Sequence, residues 1–287
     1  MIQHRVSVIE NVVLAERTYR LRLADPEIGG RIMPGQFLML RILGTTDPLL
    51  GRPFALYDTF MDETGRVNAY DVVYLVLGKV TGRMSQLRPG DEVEVWGPLG
   101  NGFSLRSTRH LMMVAGGIGQ TPFLAVAQAV TGRRCYGSQP AVGSAVSNVA
   151  KGSQTAGKVS LCYGVRSAKF LAGVEHFRGL GVEVKVSTDD GSAGHHGVVT
   201  DLVRLALEGD NPPTQLLGCG PEPMMHALAR LAIQSGVPCE LSLETPMACG
   251  VGACFSCVAR IRHNEGPWDY RRVCVEGPVF KADRVEF

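Results

Sequence analysis

The 287-residue chain has no apolar run approaching the roughly 18 residues that a membrane-spanning helix requires, so no membrane association is expected. Its opening, Met1-Ile2-Gln3-His4-Arg5, lacks the apolar stretch of a secretory signal, and a cytoplasmic location is the expectation. Basic blocks and long charged tails are missing too, and the formal net charge is only +2. That removes the electrostatic footprint of a nucleic-acid binder. Nor is there a G-x-G-x-x-G run, which excludes the standard Rossmann fingerprint. What remains is an ordinary soluble composition, 45% apolar and 20% charged, long enough for two domains with substantial cores.

Cysteine, by contrast, is plentiful, with 8 in the chain. A chain this long and rich in core residues needs no disulfide staples. Half of the cysteines fall in one pattern: Cys249, Cys254 and Cys257 stand in C-x4-C-x2-C, followed by Cys274. This is the spacing of a plant-type [2Fe–2S] cluster. Small residues between the thiols let the backbone fold tightly and aim N–H groups at sulfide and thiolate, and Gly250 and Gly252 supply unusual dihedrals. A four-thiolate cluster with two ferric ions stays net negative, and converging amides stabilise that charge while tuning the reduction potential. Two other readings compete: a four-thiolate zinc site, which usually shows paired C-x2-C knuckles, and plain buried or disulfide-linked cysteines. The remaining Cys135, Cys162, Cys219 and Cys239 are expected as reduced thiols.

The pattern along the chain predicts a mixed fold. From His4 to about Gly102, short strands alternate with Gly and Pro turns, as in Val6–Ile9, Tyr19–Leu23, Phe37–Leu40, Val72–Leu77 and Glu92–Trp96. An N-terminal antiparallel β-barrel over residues 1–105 follows. After His110, apolar runs alternate with helical segments, which predicts an α/β parallel-sheet nucleotide-binding domain over 106–239. Residues 132–157, rich in Gly, Ser, Ala and Gln, read as a flexible insertion in it. Residues 240–287 hold the cysteines as a small C-terminal [2Fe–2S] module that the cluster itself would organise.

Two glycine turns suit a dinucleotide. Gly116-Gly117-Ile118-Gly119-Gln120-Thr121-Pro122 follows a predicted strand and opens a helix, where backbone amides can approach a pyrophosphate. Glycines needed only for a tight turn are the alternative. Gly218-Cys219-Gly220-Pro221 repeats the strand-to-helix placement, and Cys219 is either a cofactor-facing thiol or a small core residue. In the barrel, Arg52-Pro53-Phe54-Ala55 combines a fixed cation, a rigid proline and an aromatic, as would suit a flavin, although a plain strand with an exposed Arg is the commoner explanation of such a run. Gly78-Lys79-Val80-Thr81 can present amides to a second pyrophosphate or be a simple loop into a helix. His195 and His196 read as loop residues, and Asp189 and Asp190, at a strand's carboxyl end, would repel a 2′-phosphate and favour NADH over NADPH.

Taken in order, the barrel, Arg52-Pro53, Gly97-Pro98-Leu99-Gly100-Asn101-Gly102-Phe103, Gly116-Gly117-Ile118-Gly119, Cys219-Gly220-Pro221 and the cysteine module resemble the ferredoxin–NADP reductase superfamily. Within it, Ser242-Leu243-Glu244 followed by Met247-Ala248-Cys249-Gly250-Val251-Gly252-Ala253-Cys254 is similar to the electron transfer subunits of class 1B dihydroorotate dehydrogenase. The resemblance implies FAD at Arg52, Pro53, Phe54 and Ala55, at Val73, Tyr74 and Leu75, and at Val80 and Thr81. It implies NAD phosphates at Gly116, Gly117 and Gly119, the nicotinamide beside Cys219 and Gly220, with Cys219 in the catalytic position, and the cluster on Cys249, Cys254, Cys257 and Cys274. Ala55 replaces a hydroxyl, Val80 a glycine and Leu75 a commonly basic residue.

The implied function is a relay. Dihydroorotate is oxidised at FMN in a separate catalytic subunit of a hetero-oligomer, electrons cross singly through the cluster, and FAD passes a hydride to NAD⁺. A sibling subunit feeding a hydrogenase, sulfite reductase or ferredoxin-linked complex would share these motifs. So would a flavin-free subunit with a structural metal.

Overall fold

The structure is a computed structural model that describes residues 2–137, 154–262 and 266–287, so the middle of the expected insertion at 132–157 lies outside the described residues. In β1 (Ile2–Ala15), Val6 and Val8 point inward between exposed neighbours, the period-two pattern of a half-buried strand. β2 (Thr18–Ala24) returns antiparallel to it. The single turn α1 (Pro26–Gly29) starts where the Asp25 carboxylate accepts the Glu27 and Ile28 N–H groups, at 3.1 and 3.0 Å. β3 (Phe37–Ile42), β4 (Arg52–Met61) and β5 (Val67–Leu75) follow, then the short α2 (Lys79–Met84) and β6 (Glu92–Leu99). Pairing in the order β1-β2-β5-β4-β3-β6 closes the barrel, which leaves no strand edge unpaired.

Beyond it, strands are apolar on both faces because helices cover both. β7 (Thr108–Gly116) is buried from His110 onward. Helix α3 (Phe123–Val130) is buried all round: Ala125 faces the barrel core, whereas Phe123 and Val126 pack on the sheet. It is wedged between the two. β8 (Ala156–Val165), α4 (Val174–Arg178), β9 (Glu183–Thr188), β10 (His195–His196), α5 (Val199–Leu207), β11 (Gln215–Cys219), α6 (Glu222–Gln234) and β12 (Cys239–Ser242) complete the parallel part, in the order β10-β9-β8-β7-β11-β12. Strand order reverses between β7 and β11, and the carboxyl ends of those two strands flank the crevice where such sheets take ligands.

The last segment, expected to be too small for a core of its own, joins the large sheet. β13 (Val258–Arg262) and β14 (Trp268–Arg272) form a two-stranded ribbon, but after α7 (Val273–Glu276) strand β15 (Val279–Lys281) pairs antiparallel with β12 at the edge of the large sheet. The expected boundary at 240 falls inside β12. Cys257, Ile261, Val273 and Cys274 share one apolar cluster with Leu228 and Leu241, so a segment too short for its own core borrows one. The turn over residues 97–103, at the end of the barrel, also grips this segment: Asn101 Nδ2 donates to the Val279 carbonyl at 2.9 Å and its Oδ1 accepts the Val279 N–H at 2.9 Å. Among the described residues, no helix is long and apolar enough to cross a membrane.

Barrel and sheet are braced directly. Tyr57 on β4 hydrogen-bonds His176 Nδ1 on α4 at 2.7 Å, and next to it Asp58 pairs with Arg134 at 3.1 Å and accepts the Tyr136 hydroxyl at 3.2 Å. Thus the first residues of the expected insertion are packed against the barrel. The tip of the β1–β2 hairpin adds a Glu16–Lys169 ion pair at 3.1 Å. Tyr57 is 1% exposed, so its lost hydroxyl cannot be replaced by water easily. Tyr57→Phe is expected to cost about 1 kcal/mol, read as a melting temperature lower by a few degrees.

Candidate functional site

β4, β5, α2 and the segment after β12 enclose a cavity of about 620 Å³, a size typical of small-molecule sites. Arg52, Pro53, Phe54 and Ala55 line it from β4, Val73, Tyr74 and Leu75 from β5, and Val80 and Thr81 from α2. The barrel residues singled out in the sequence therefore converge on one wall. Phe54 and Tyr74 meet edge to face with centroids 6.2 Å apart, and Tyr74 stacks on Tyr19 at 5.6 Å while its hydroxyl donates to Asn11 Oδ1 at 3.0 Å. This makes a rigid aromatic corner. The exposed Arg52 guanidinium is steered by its own loop, donating to the Leu50 and Gly51 carbonyls at 3.1 and 2.9 Å. The Thr81 hydroxyl accepts the Leu77 and Gly78 N–H groups at 2.9 and 3.2 Å, which fixes the entry into α2.

From the sheet side, Ile118, Thr121 and Cys219 reach the same cavity. Gly116, Gly117, Gly119 and Gly220 do not line it. Their turns pack on each other: a Cβ on Gly119 would run into the Cys219 carbonyl, and one on Gly220 would stand 2.9 Å from the Gly116 nitrogen. Close packing thus accounts for these three positions. Gly117 is different, with φ +56° and open space where a Cβ would point. Its glycine serves the left-handed dihedral and leaves an uncluttered backbone at the crevice. Cys219 satisfies both readings left open for it, packing in the core and touching the cavity. Burial, with the Glu244 charge adding to it, pushes its thiol up, so it stays protonated.

Residues that the motifs did not single out as ligands complete the wall. Ser242 to Met247 run from the carboxyl end of β12 along the cavity. Glu244 has solvent-accessible surface within the cleft but is surrounded by protein, and desolvation raises its carboxyl above the usual value. Thr245 Oγ1 is buried there without a hydrogen-bond partner. A buried hydroxyl in that state fits a bound heteroaromatic that can pair with it. The signal available in the sequence was only position, the end of a parallel strand immediately before the cysteines.

The same segment continues into the four thiols. Gly250 and Gly252 have φ +73° and +81°, as the small-residue spacing predicts, and Phe255 also lies in the left-handed region at +56°. Cys254 is influenced by Cys249, and Cys274 by Cys257 and more weakly by Cys249, so the four thiols share one neighbourhood. Hydrogen bonds from Ser256, then Cys249, pull the exposed Cys254 thiol down to about 6. Burial, then Cys257, pushes Cys274 up to about 12. Among the described residues, no three His, Cys, Asp or Glu side chains converge closely enough for a single metal ion. Four thiols in one neighbourhood on the C-x4-C-x2-C spacing fit an iron–sulfur cluster. The Cys257 carbonyl accepts the Val273 N–H at 2.7 Å, which ties Cys257 to the residue before Cys274 through the backbone.

Two lesser expectations find local roles. Asp190 is occupied by Ser192, whose N–H it accepts at 3.0 Å, leaving exposed Asp189 beside it at the carboxyl end of β9. His195 Nε2 stands 3.4 Å from Asp201.

Comparison with known proteins agrees with this geometry. The pattern of the iron-sulfur cluster binding domain of dihydroorotate dehydrogenase B matches residues 244–286, and that of the oxidoreductase NAD-binding domain matches 113–230. The dihydroorotate dehydrogenase B (NAD(+)) electron transfer subunit of Caldanaerobacter subterraneus is 35% identical over 283 residues, covering 99% of this chain and 98% of the relative. Its counterpart in Bacillus caldolyticus is 38% identical over 287 residues, with 99% and 98% covered. Among solved structures, the NADH-dependent reduced ferredoxin-NADP oxidoreductase, studied for flavin-based electron bifurcation, matches with TM-score 0.79 and 25% identity over 98% of this chain and 89% of that one. The cytochrome b5 reductase domain of Ulva prolifera nitrate reductase shares the fold, with TM-score 0.59 and 19% identity over 82% and 94%. At this identity over nearly its whole length, with a cluster-binding segment ending a flavin-reductase fold, the chain belongs to the family of dihydroorotate dehydrogenase B electron transfer subunits.

Proposed function

We propose that this chain carries electrons between an FMN-containing dihydroorotate dehydrogenase catalytic subunit and NAD⁺ within a cytoplasmic hetero-oligomer. The observation that carries the reading is the single segment 242–257, which walls the barrel cavity at one end and presents Cys249, Cys254 and Cys257 at the other. When bound, a flavin exchanges a hydride with a nicotinamide and single electrons with an iron–sulfur cluster. The chain's residues hold these partners in place. Phe54 and Tyr74 form the aromatic corner against which a flat ring would rest, Arg52 and the α2 entry around Val80 and Thr81 take phosphate charge, and Pro53, Ala55, Val73 and Leu75 shape the pocket.

The dinucleotide belongs at the β7–β11 crevice, with phosphates at Gly116, Gly117 and Gly119 and the nicotinamide beside Cys219 and Gly220. A protonated Cys219 presents a neutral, apolar surface there, which keeps water from the reacting carbon without competing for it as a nucleophile. Asp189 at the end of β9 disfavours an added 2′-phosphate. Cys249, Cys254, Cys257 and Cys274 hold the cluster.

Protein purified without oxygen is expected to contain iron, acid-labile sulfide and FAD, and with its catalytic partner to form NADH from NAD⁺ in the presence of dihydroorotate. Iron-free protein, or a complete assembly inert to dihydroorotate, would overturn the assignment. Cys257→Ser should abolish the cluster's visible and EPR signals while NADH still reduces ferricyanide through the flavin. Thr81→Val removes the acceptor at the α2 entry and is expected to cost about 1 kcal/mol, roughly fivefold in FAD affinity, measured by flavin fluorescence on titration.

A further inference from the structure

Trp96 and Met39 occupy a place that neither the cavity nor the cysteine pattern accounts for. On the barrel wall, Met39 of β3 pairs on one side with Trp96 of β6 and on the other with Pro53 of β4, the strand that lines the flavin cavity. The Trp96 ring covers Gly51, the residue before Arg52, so closely that a Cβ there would lie 2.5 Å from Cη2. Its indole Nε1–H donates to the carbonyl of Cys249 at 2.9 Å. Met39 in turn presses on Gly250, where a Cβ would stand 2.6 Å from Cγ and 3.1 Å from Leu99 Cδ1. Gly250, at φ +73°, leaves both the dihedral and the room that this contact needs.

Trp96 therefore links the start of the flavin strand to the first cluster ligand, and Met39 links that strand to the ligand's neighbour Gly250. Nothing else holds Cys249 in the barrel direction through a side-chain hydrogen bond among the described residues. The loop around it has no helix or strand of its own, so its distance from β4 is set by these contacts. Resting on the reading that the cavity takes FAD and the thiols a cluster, we propose that Trp96, backed by Met39, is the positioning element that fixes the cluster loop against the flavin strand and thereby sets how fast single electrons pass between the two centres. Trp96 is itself a positioning residue, acting through the Cys249 backbone. The hydrogen bond also withdraws charge from the peptide next to a ligand, which tunes the cluster's potential.

The electron balance gives a test within the full chain alone. NADH delivers a hydride to the flavin, and one electron then moves on to the oxidised cluster, reducing one ferric ion to ferrous. Stopped-flow mixing of the reconstituted chain with NADH resolves the two events by their different absorption. In Trp96→Phe, flavin reduction should keep its wild-type rate, cluster reduction should slow by about 10-fold, and the cluster's EPR g-values and midpoint potential should shift. Loss of iron with flavin retained would also support the proposal. An unchanged transfer rate and an unchanged potential would overturn it. Should Trp96→Phe fail to fold, Met39→Leu, nearly equal in volume, is read the same way and should slow the same step alone. Wild-type chain without iron or flavin overturns the parent reading instead, so the two failures are distinct.

Discussion

From Leu243 to Cys257 the chain runs without helix or strand, and its path is fixed by what it leans on. At one end β12 holds it in the large sheet; at the other Cys257 is locked to Val273 by a backbone hydrogen bond of 2.7 Å. Between them the barrel supplies Trp96 and Met39. A loop of thiols has little stability to contribute before metal arrives, because its glycines lose much backbone freedom on ordering and its small side chains bury little area. Its order must come from the surroundings. Since the same residues wall the cavity, the support that shapes the thiol loop also shapes the flavin pocket.

That economy makes the barrel–sheet junction a functional element. β4 carries Arg52 to Ala55 on the cavity and, a few residues on, Tyr57 and Asp58 at the junction with α4 and the chain after α3. The strand is held along that distance within the closed barrel, its first residues paired with β3 and those from Leu56 onward with β5. A shift of the sheet relative to the barrel would move Ile118, Thr121 and Cys219 against the opposite wall of the same pocket. Hydride exchange tolerates little misplacement, so a junction built from buried hydrogen bonds and an ion pair, rather than a flexible linker, is what the chemistry demands.

Much of this was legible in the sequence, for physical reasons. Short strands set off by Gly and Pro turns marked the barrel, apolar runs alternating with helical segments marked the parallel sheet, and the thiol spacing marked the cluster, since each pattern reflects a local constraint. How the C-terminal segment finds its core was not legible, because that core is not local: β15 joins β12 from the far end of the segment, and Cys257 and Cys274 bury themselves against α6 and the sheet. Glu244, Thr245 and Trp96 were missed as site residues for a similar reason. Each is an ordinary residue in its own neighbourhood, and only long-range packing brings it to the cavity or the thiols. The glycine turns divided: Gly116, Gly119 and Gly220 answer to mutual packing, Gly117 to an open crevice.

The substitutions at Ala55, Val80 and Leu75 gain a meaning once the sheet side of the cavity is considered. With a methyl in place of a hydroxyl, a leucine in place of a basic residue and a valine in place of a glycine, the barrel wall offers backbone donors and aromatic surface, but few side-chain partners. The polar groups sit opposite, where Glu244 lies in the cleft and Thr245 keeps an unpaired buried hydroxyl. Both belong to the segment that becomes the thiol loop. A flavin held this way depends for its polar contacts on the sheet and the cluster module, not on the barrel alone. Its electronic environment is then coupled to the placement of the thiols, because the groups that would tune it are carried on the same stretch of backbone.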